Sequence, residues 1–297
     1  MKLMFSIDVE EWFDGFYPHQ VSVHYESRLE QQLESLLQLL DDAHTKATFF
    51  WLGSRAKEHP KLVQLLAKQG HEIGCHGMHH TPVYDLTARQ FKAQLTEASA
   101  AICQITGRPL LSFRAPFFSI TSRSYWALDI LCELGYQYDS SIFPINHWRY
   151  GMPGFRQQIQ TITTASGKIT ELPLPVRKLG QTVIPVSGGA YFRIYPYSFT
   201  KSNIRHILRQ GTPMIFYFHP WELDPHHPKH HAVPLKARLP HYYNLSSTKR
   251  KLVLLLQDFS FTSIHRALSA PELSAEPIFD LNAAALETPQ LIHQGAL

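Results

Sequence analysis

The chain has 297 residues, 44% of them hydrophobic and 18% charged, a composition typical of a globular protein rather than a disordered one. Its 28 Lys and Arg against 24 Asp and Glu leave a net charge of +4, too small to indicate a surface for nucleic acid or anionic membrane. No apolar run approaches the roughly 18–20 residues of a transmembrane segment, and the N-terminus shows no signal-peptide core. Three cysteines suit a reducing compartment, so we expect a cytoplasmic protein.

Strand and helix patterns alternate along the first half of the chain. Short apolar runs predict buried strands, and apolar residues recurring at i, i+4, i+7 and i+8 predict amphipathic helices. Pro60 and Gly70 bracket one of these helices, and Thr87 with Gln90 forms a capping box at the start of another. The predicted elements are a strand at 3–7, a helix at 28–40, a strand at 47–52, a helix at 60–69, a strand at 72–75, a helix from 87 onward, a strand at 110–113, a helix at 126–134 and a strand at 136–138.

The alternation lapses between residues 142 and 196, where prolines and glycines separate short β-like pieces. We interpret this stretch as an insertion of loops and hairpins. Beyond it the pattern predicts a helix at 198–210, a strand at 214–218, a helix at 252–256 capped by Ser247, and a strand at 259–262. We therefore divide the chain into a barrel at 1–225, an extension at 226–268 that packs on the barrel, and a loosely packed tail at 269–297.

Strands that alternate with helices at this spacing predict a mostly parallel sheet built from βαβ units. Because no dinucleotide-binding glycine fingerprint is present, an α/β fold of the distorted (β/α) barrel type with about seven parallel strands is favoured over an open Rossmann sheet. Polar side chains directly follow five of the predicted strands, and they are Asp8, His76, Arg114, Asp139 and His219. The carboxyl ends of barrel strands gather on one face, so these residues form the candidate site.

His76 and His80 lie four residues apart, a spacing that can bring two imidazoles to one metal ion. Two further pairs with this spacing lie in the run Asp224-Pro225-His226-His227-Pro228-Lys229-His230-His231. Prolines prevent a regular helix there, so that run is either a solvated loop or part of the rim of the site. The pair at His76 follows a strand end, and we interpret it as part of a metal site.

Asp8, Glu10 and Glu11 supply carboxylates directly after the first strand. Such residues either remain hydrated or complete a metal site, which needs an anionic ligand and a separate base. Side chains alternate along an extended chain, so Asp8 and Glu10 should face the same way while Glu11 turns toward solvent or the first helix. Arg114 either holds one of these carboxylates or forms an ordinary salt bridge. His219 is either a structural residue or part of the site.

These residues, in this order, resemble the motifs of the polysaccharide deacetylases, which are carbohydrate esterase family four or the NodB homology domain. The family's H-[ST]-x-x-H matches at His76 and His80 with Gly77 in place of Ser or Thr, R-x-P-[YF] matches at 114–117, and the motif of the acid histidine matches at His219. This resemblance covers about residues 1–225. Other segments are similar to the deacetylases encoded with exopolysaccharide and exosortase systems and extend it to about residue 265, namely 139–144, 188–193, 219–225 and 241–245.

The resemblance implies a metal centre and a base. Glu10, His76 and His80 would hold a divalent metal ion, expected to be Zn²⁺, which activates water and polarises the acetyl carbonyl. The family's usual T-F-D-D is replaced here by Ser6-Ile7-Asp8-Val9-Glu10. Asp8 would therefore be the base and Glu10 the metal ligand.

The remaining implied roles concern the substrate. Arg114 would orient the base, the backbone N–H of Phe117 would hold the oxyanion, and His219 would protonate the leaving amine. Asp139 would orient His219 or line the cleft. Three aromatic side chains would provide surface for a sugar ring, namely Tyr191, Phe192 and Trp221.

The expected activity is metal-dependent hydrolysis of N-acetyl groups on a polysaccharide or oligosaccharide, which breaks a carbon–nitrogen bond and releases acetate. Two alternatives stay open. One is a cyclic amide or imide hydrolase with the same site and fold, and the other is a catalytically inactive sugar-binding module. The expected partner is an N-acetylated sugar polymer, and no nucleic-acid partner is expected.

Overall fold

The computed structural model describes residues 3–16, 25–147, 149–230, 233–269 and 279–280. Its strands are β1 (Leu3–Val9), β2 (Thr48–Trp51), β3 (Glu72–Cys75), β4 (Ser112–Phe113), β5 (Tyr138–Asp139), β6 (Gln160–Thr163), β7 (Lys168–Glu171), β8 (Val176–Leu179), β9 (Thr182–Pro185), β10 (Met214–Phe218), β11 (Phe261–Thr262) and β12 (Phe279–Asp280). Its α-helices are α1 (Leu29–Asp42), α2 (Gly53–Glu58), α3 (Pro60–Lys68), α4 (Ala88–Thr106), α5 (Ala127–Glu133), α6 (Gly189–Ile194), α7 (Tyr197–Arg209), α8 (Leu235–Tyr242), α9 (Thr248–Asp258) and α10 (Ile264–Leu268). Short 3₁₀ helices lie at Asp14–Phe16, Val83–Asp85, Pro116–Phe118, Pro220–Leu223 and Leu245–Ser247.

One curled sheet passes through most of these strands in the order β10-β1-β2-β3-β4-β5-β7-β6-β12. Every neighbouring pair from β10 to β7 is parallel, so the predicted α/β fold with a mostly parallel sheet is confirmed, although the seventh strand of this row is β7 and not the predicted strand at 259–262. β6 and β7 form an antiparallel hairpin, and β11 pairs with β1 beside this path. Because β10 and β12 stand at opposite ends of the order, the sheet is a half-barrel in an α/β fold.

The register of the sheet explains why the candidate residues converge. One row of register partners crosses five neighbouring strands and consists of Val9, Trp51, Cys75, Phe113 and Asp139. Glu10, His76 and Arg114 each come directly after a member of this row. Parallel strands end on the same side of a sheet, so these three residues lie together at its carboxyl edge.

Helix boundaries follow signals that the sequence carries. α3 begins at Pro60, and Gly70 just beyond its end has a φ of +82°, a conformation that favours glycine. The capping box of α4 is confirmed, since the Gln90 N–H donates to the Thr87 hydroxyl oxygen at 3.3 Å and the Thr87 N–H donates to the Gln90 side chain at 2.9 Å. Ser247 is the N-cap residue of α9, as predicted, but its side chain makes no capping hydrogen bond.

The stretch at 142–196, predicted as an insertion of loops and hairpins, contains the hairpins β6–β7 and β8–β9 and the helix α6. β7 also pairs in parallel with β5, so this stretch supplies one strand of the half-barrel. Only alternate residues of β7 are buried, and a strand of four such residues shows no apolar run in the sequence. For the same reason of length, the six-residue helix α2 was not predicted.

The largest apolar cluster lies between the sheet and the helices packed on it. α1 contributes a fully buried stripe, in which each leucine adds roughly 1.5–3 kcal/mol of hydrophobic stabilisation; its members are Leu29, Leu33, Leu36 and Leu40.

The extension at 226–268 joins the main sheet where β11 pairs with β1. The predicted tail at 269–297 lies outside the described residues apart from Ser269 and β12. Among the described helices, none combines the length and apolar character needed to cross a membrane.

Candidate active site

Glu10, His76 and His80 bring three potential ligand atoms within 4.8 Å of one another. Oε2 of Glu10 lies 2.5 Å from Nε2 of His80 and 4.0 Å from Nε2 of His76. All three side chains are buried. The structure therefore brings together the residues that the sequence indicated as metal ligands.

Two backbone carbonyls set the orientation of the imidazoles. Nδ1 of His76 lies 2.7 Å from the carbonyl oxygen of Arg114, and Nδ1 of His80 lies 2.8 Å from that of Asp14. Because a carbonyl only accepts hydrogen bonds, each Nδ1 carries the proton and donates. In its neutral form each imidazole then presents the lone pair of Nε2 to the other side, which is the arrangement that metal-binding histidines adopt.

These residues fit a divalent cation. Oε2 of Glu10 is buried, and no described group donates a hydrogen bond to it. A buried carboxylate oxygen without a donor is costly, and a cation between it and two imidazole nitrogens would remove that cost. Two His and one carboxylate also leave a coordination position open for water, as catalytic metal sites require.

The charges in this group influence one another strongly. Burial opposes ionisation of Glu10, but the neighbouring His80 and His219 outweigh it and hold the pKa of Glu10 far below its usual value. Burial lowers the pKa of His76 to about 4, so this imidazole is neutral at neutral pH. Burial acts on His80 in the same direction, but the adjacent Glu10 outweighs it and raises the pKa of His80. A carboxylate and a neutral imidazole are the forms that bind metal.

Asp8 is held by the fully buried Arg114. Nη1 of Arg114 donates to Oδ1 of Asp8 at 2.8 Å and to the hydroxyl of Ser6 at 2.7 Å. Its Nε and Nη2 donate to the backbone and the hydroxyl of Ser140 at 3.0 Å and 2.9 Å. The guanidinium also lies 4.6 Å from the centre of the Phe50 ring. So many contacts fix Arg114 in one position, and the ion pair fixes Asp8 in turn.

His219 faces both carboxylates. Its Nε2 lies 3.9 Å from Oδ2 of Asp8 and 3.6 Å from Oε1 of Glu10. On the other side of the ring, Nδ1 lies 2.8 Å from Oε1 of Glu222. Burial lowers the pKa of His219, but Glu10 and Glu222 outweigh it and raise the pKa to about 9. The imidazole is therefore well suited to carry a proton at neutral pH.

Glu222 and Arg193 were not singled out in the sequence, although Glu222 follows His219 at capping-box spacing. Nε of Arg193 donates to Oε2 of Glu222 at 2.7 Å, and both side chains are buried. Nη1 of Arg193 donates to the carbonyls of His241 and Tyr243 at 2.6 Å and 3.0 Å. Burial raises the pKa of Glu222, but Arg193 and His219 outweigh it and lower the pKa. An ionised Glu222 carboxylate therefore faces Nδ1 of His219.

The sequence predicts that Asp139 orients His219 or lines the cleft, but the partner of His219 is Glu222 and Asp139 is buried. Its side chain is fully buried and accepts a hydrogen bond from the Ser141 hydroxyl at 2.5 Å. Glu171 of β7 is its register partner. Burial and the neighbouring Asp139 raise the pKa of Glu171 well above its usual value, which favours the protonated form of this carboxyl group. The sequence does not show that β7 brings Glu171 next to Asp139, so this environment of Asp139 was not predicted.

The loops on either side of His80 contain strained backbone. Phe117 has a φ of +57°, which is rare outside glycine, and its ring centre lies 4.2 Å from that of His80. The guanidinium of Arg149 lies over the ring of Phe117, 4.8 Å from its centre. Gly77 has a φ of +87°, so a Ser or Thr at this position would be strained here. The departure from the family's usual Ser or Thr therefore matches the local backbone.

The three predicted sugar-facing aromatics occupy different environments. Phe192 is 1% exposed and packs edge-on against Phe216 at 5.1 Å, so it belongs to the core and not to the cleft. This prediction is wrong because 189–194 forms a helix that turns Phe192 inward. Tyr191 is partly exposed, and its hydroxyl lies 3.3 Å from that of Tyr150. Trp221 is 5% exposed, and its Nε1 donates to Oε1 of Glu10 at 3.2 Å.

Glu11 turns away from the site, as the alternation of side chains predicted. It is buried and accepts a hydrogen bond from the N–H of Arg28 at 3.2 Å, and the Ser27 hydroxyl also donates to it. Of the two expected directions, it therefore points to the start of α1 and not to solvent. A carboxylate at a helix N-terminus is favourable, which gives Glu11 a structural reason to be present.

The histidine-rich run is not the solvated loop that was one of its two interpretations. His227 and His230 are each 4% exposed. The ring of His227 stacks on Trp12 at 5.1 Å, and the ring of His230 lies edge-on to Phe16 at 5.6 Å. His226 is exposed, and His231 lies outside the described residues. Within the described chain, these residues are not part of the cluster formed by Glu10 and its two histidines.

Comparison with known proteins shows that the first half of the chain is similar to polysaccharide deacetylases. A family model described as polysaccharide deacetylase matches residues 17–138. The peptidoglycan-N-acetylglucosamine deacetylase of Bacillus cereus is 29% identical over 144 residues, which cover 47% of this chain and 52% of that protein. The peptidoglycan deacetylase of Helicobacter pylori is 27% identical over 107 residues, 36% of each chain. The chitooligosaccharide deacetylase of Sinorhizobium fredii is 36% identical over 67 residues, 23% of this chain and 31% of that one.

The matching parts thus span between about a third and a half of these curated relatives. A crystal structure assigned to a polysaccharide deacetylase of Mycobacterium smegmatis has the same fold, with a TM-score of 0.57 at 16% identity over 93% of this chain and 94% of that one. A second family model, described as a domain of unknown function (DUF3473), matches residues 140–269. The site draws on both regions, since His76, His80 and Arg114 lie in the first and Arg193, His219 and Glu222 in the second.

Proposed function

We propose that the chain, of which residues 17–138 match the polysaccharide deacetylase family model, is a metal-dependent hydrolase that removes N-acetyl groups from a polysaccharide or oligosaccharide. The observation that carries the proposal is the arrangement of Asp8 and His219, whose side chains approach to 3.9 Å beside the cluster of Glu10, His76 and His80. A potential base and a potential acid therefore flank a potential metal site, which is what amide hydrolysis needs.

Glu10, His76 and His80 would hold the metal ion, and the two-histidine, one-carboxylate set supports Zn²⁺. A divalent cation bound there supplies Lewis acidity, which lowers the pKa of a bound water and polarises the acetyl carbonyl. Asp8 takes the proton of the attacking water, and it stays in place because Arg114 holds its other oxygen. The backbone N–H of Phe117 stabilises the negative charge on the carbonyl oxygen.

His219 donates the proton that the leaving amine requires. The hydrogen bond from Nδ1 to Glu222 directs Nε2 toward the carboxylates, where the scissile bond would lie. Arg193 keeps Glu222 ionised and in position. Glu10 and Glu222 together raise the pKa of this partly buried imidazole to about 9, so it retains a proton at neutral pH.

The substrate class follows from the relatives and from the second half of the chain. The named relatives act on peptidoglycan and chitooligosaccharides, which supports an N-acetylated amino sugar as the substrate unit. The segments 188–193 and 241–245, which resemble exopolysaccharide-associated deacetylases, contact each other through Arg193. We therefore propose an exopolysaccharide or its oligosaccharide precursor as the polymer. The three free cysteines support a cytoplasmic location for the chain.

Acetate release by the purified protein tests this proposal. Zn²⁺-loaded protein is offered chitooligosaccharides, peptidoglycan fragments and an N-acetylated exopolysaccharide, with a cyclic imide as the rival substrate. We expect acetate from at least one sugar, loss of release after chelation, and recovery on adding Zn²⁺. Imide opening without acetate release would instead support the rival hydrolase. Sugar binding with no hydrolysis by metal-loaded protein would indicate an inactive binding module.

A further inference from the structure

The two carboxylate oxygens of Glu10 have different surroundings. Oε2 faces Nε2 of His80 and His76 at 2.5 Å and 4.0 Å, and no described group donates a hydrogen bond to it. Oε1 accepts a hydrogen bond from the indole N–H of Trp221 at 3.2 Å. The indole N–H of Trp221 thus holds the carboxylate through Oε1, and Oε2 stays available to a cation.

Trp221 is itself held firmly. Two imidazoles are stacked nearly parallel to its ring, His219 at 5.2 Å with an angle of 22° and His241 at 4.2 Å with an angle of 18°. The guanidinium of Arg193 lies 5.2 Å from the ring centre. Trp221 is buried in the 3₁₀ helix that follows β10. Its indole N–H therefore points at Glu10 with little freedom to turn.

We propose that Trp221 is a positioning residue for the metal centre, which directs Glu10 to bind the cation through Oε2 alone. This inference rests on the proposed function only in taking Glu10, His76 and His80 as metal ligands. A carboxylate without such a donor can rotate, bind with both oxygens, or move toward His219, whose Nε2 already lies 3.6 Å from Oε1. The indole N–H prevents these alternatives by occupying Oε1, as hydrogen-bond donors behind metal ligands do.

The same contact connects the C-terminal extension to the metal site. His241 belongs to α8 and stacks on the ring of Trp221. The extension therefore reaches the ligand Glu10 through a single indole ring. This arrangement assigns to the second half of the chain a part in metal binding, although it supplies no metal ligand among the described residues.

The test is Zn²⁺ affinity of the full chain without substrate, measured by competition with a chelator. Trp221→Phe removes the N–H and keeps an aromatic ring, and we expect it to weaken Zn²⁺ binding roughly 10- to 100-fold. Trp12→Phe is the matched control, because Trp12 is also buried in the same aromatic cluster and its N–H has no hydrogen-bond partner among the described residues. It should change the affinity by less than about threefold. In Glu10→Gln protein, adding Trp221→Phe should cost little more, since both changes affect one interaction.

Unchanged Zn²⁺ affinity in folded Trp221→Phe protein, or an equal loss in Trp12→Phe protein, would overturn the inference. If Trp221→Phe fails to fold by circular dichroism, His241→Ala gives the second measurement, because it removes a ring stacked on Trp221 and leaves the indole N–H in place. We expect a smaller but measurable loss of affinity in that variant, and no loss would count against the inference. A wild-type chain that binds no Zn²⁺ would reject the proposed function instead, so the two failures are distinguishable.

Discussion

Asp8 and His219 stand side by side because the residues before them are register partners. Ile7 of β1 pairs with Phe218 of β10, and the next residue on each strand points into the site. Oδ2 of Asp8 and Nε2 of His219 consequently lie 3.9 Å apart. Two strands that are about 210 residues apart in the sequence thus deliver a base and an acid to one position by ordinary parallel pairing.

The first prediction concerns His219 as the acid. His219→Ala should reduce acetate release by roughly 10²–10⁴-fold, the usual contribution of one general acid. The metal content should remain unchanged, because His219 does not belong to the cluster of Glu10, His76 and His80. Metal analysis and a turnover assay on the same preparation check both parts. Loss of metal from this variant would show that His219 is a ligand.

The second prediction concerns Glu222, which orients His219. Glu222→Gln keeps the size of the side chain but removes the charge, so turnover should fall by roughly 10–100-fold, a part of what a general acid contributes. Zn²⁺ affinity should change little. Glu97→Gln is the control, because Glu97 is an exposed carboxylate that pairs with Lys57 at 2.7 Å on the surface. Equal turnover of Glu222→Gln and the control would remove Glu222 from the mechanism.

The third prediction concerns stability at low pH. Burial, with a smaller effect of Lys46, lowers the pKa of His71 to about 4, and its Nδ1 accepts a hydrogen bond from the N–H of Ala47 at 3.2 Å. Below about pH 6.5 the unfolded chain binds a proton here that the folded chain does not, so stability decreases as the pH falls from 7 toward 4. The contribution of His71 between pH 7 and pH 5 should be about 1–2 kcal/mol.

Urea unfolding at pH 7 and pH 5 measures this contribution. His71→Asn keeps a hydrogen-bond acceptor that does not titrate, so its loss of stability between the two pH values should be smaller than that of the wild type. The exposed His226→Asn should show the wild-type difference. A His71→Asn protein with the full wild-type pH dependence would contradict the assignment to His71.

Much of the site was predictable because its residues follow strand ends. Asp8, His76, Arg114 and His219 each come directly after an apolar run, and parallel strands place such residues on one edge. The direction of Glu11 also followed from the alternation of side chains along β1. These inferences need only local periodicity, which the sequence carries in full.

The parts that were missed depend on contacts between distant, non-periodic segments. Arg193 and Glu222 are 29 residues apart and meet only because α6 packs behind β10. Glu171 reaches Asp139 through a four-residue strand inside a stretch that lacks apolar runs. Phe192 is an aromatic residue three positions after the pair Gly188-Gly189, which suggests a binding loop, and only the turn of α6 shows that it faces the core.

The different roles of the carboxylates of Asp8, Glu10 and Glu11 can be tested most directly by comparing metal binding and turnover in three variants. Zn²⁺ is titrated into Glu10→Gln, Asp8→Asn and Glu11→Gln proteins, and acetate release is then measured at saturating Zn²⁺. We predict that Glu10→Gln loses Zn²⁺ affinity, that Asp8→Asn binds Zn²⁺ normally but loses turnover, and that Glu11→Gln retains both, because Glu11 binds the start of α1 instead. Loss of Zn²⁺ from Glu11→Gln together with normal binding by Glu10→Gln would contradict these roles.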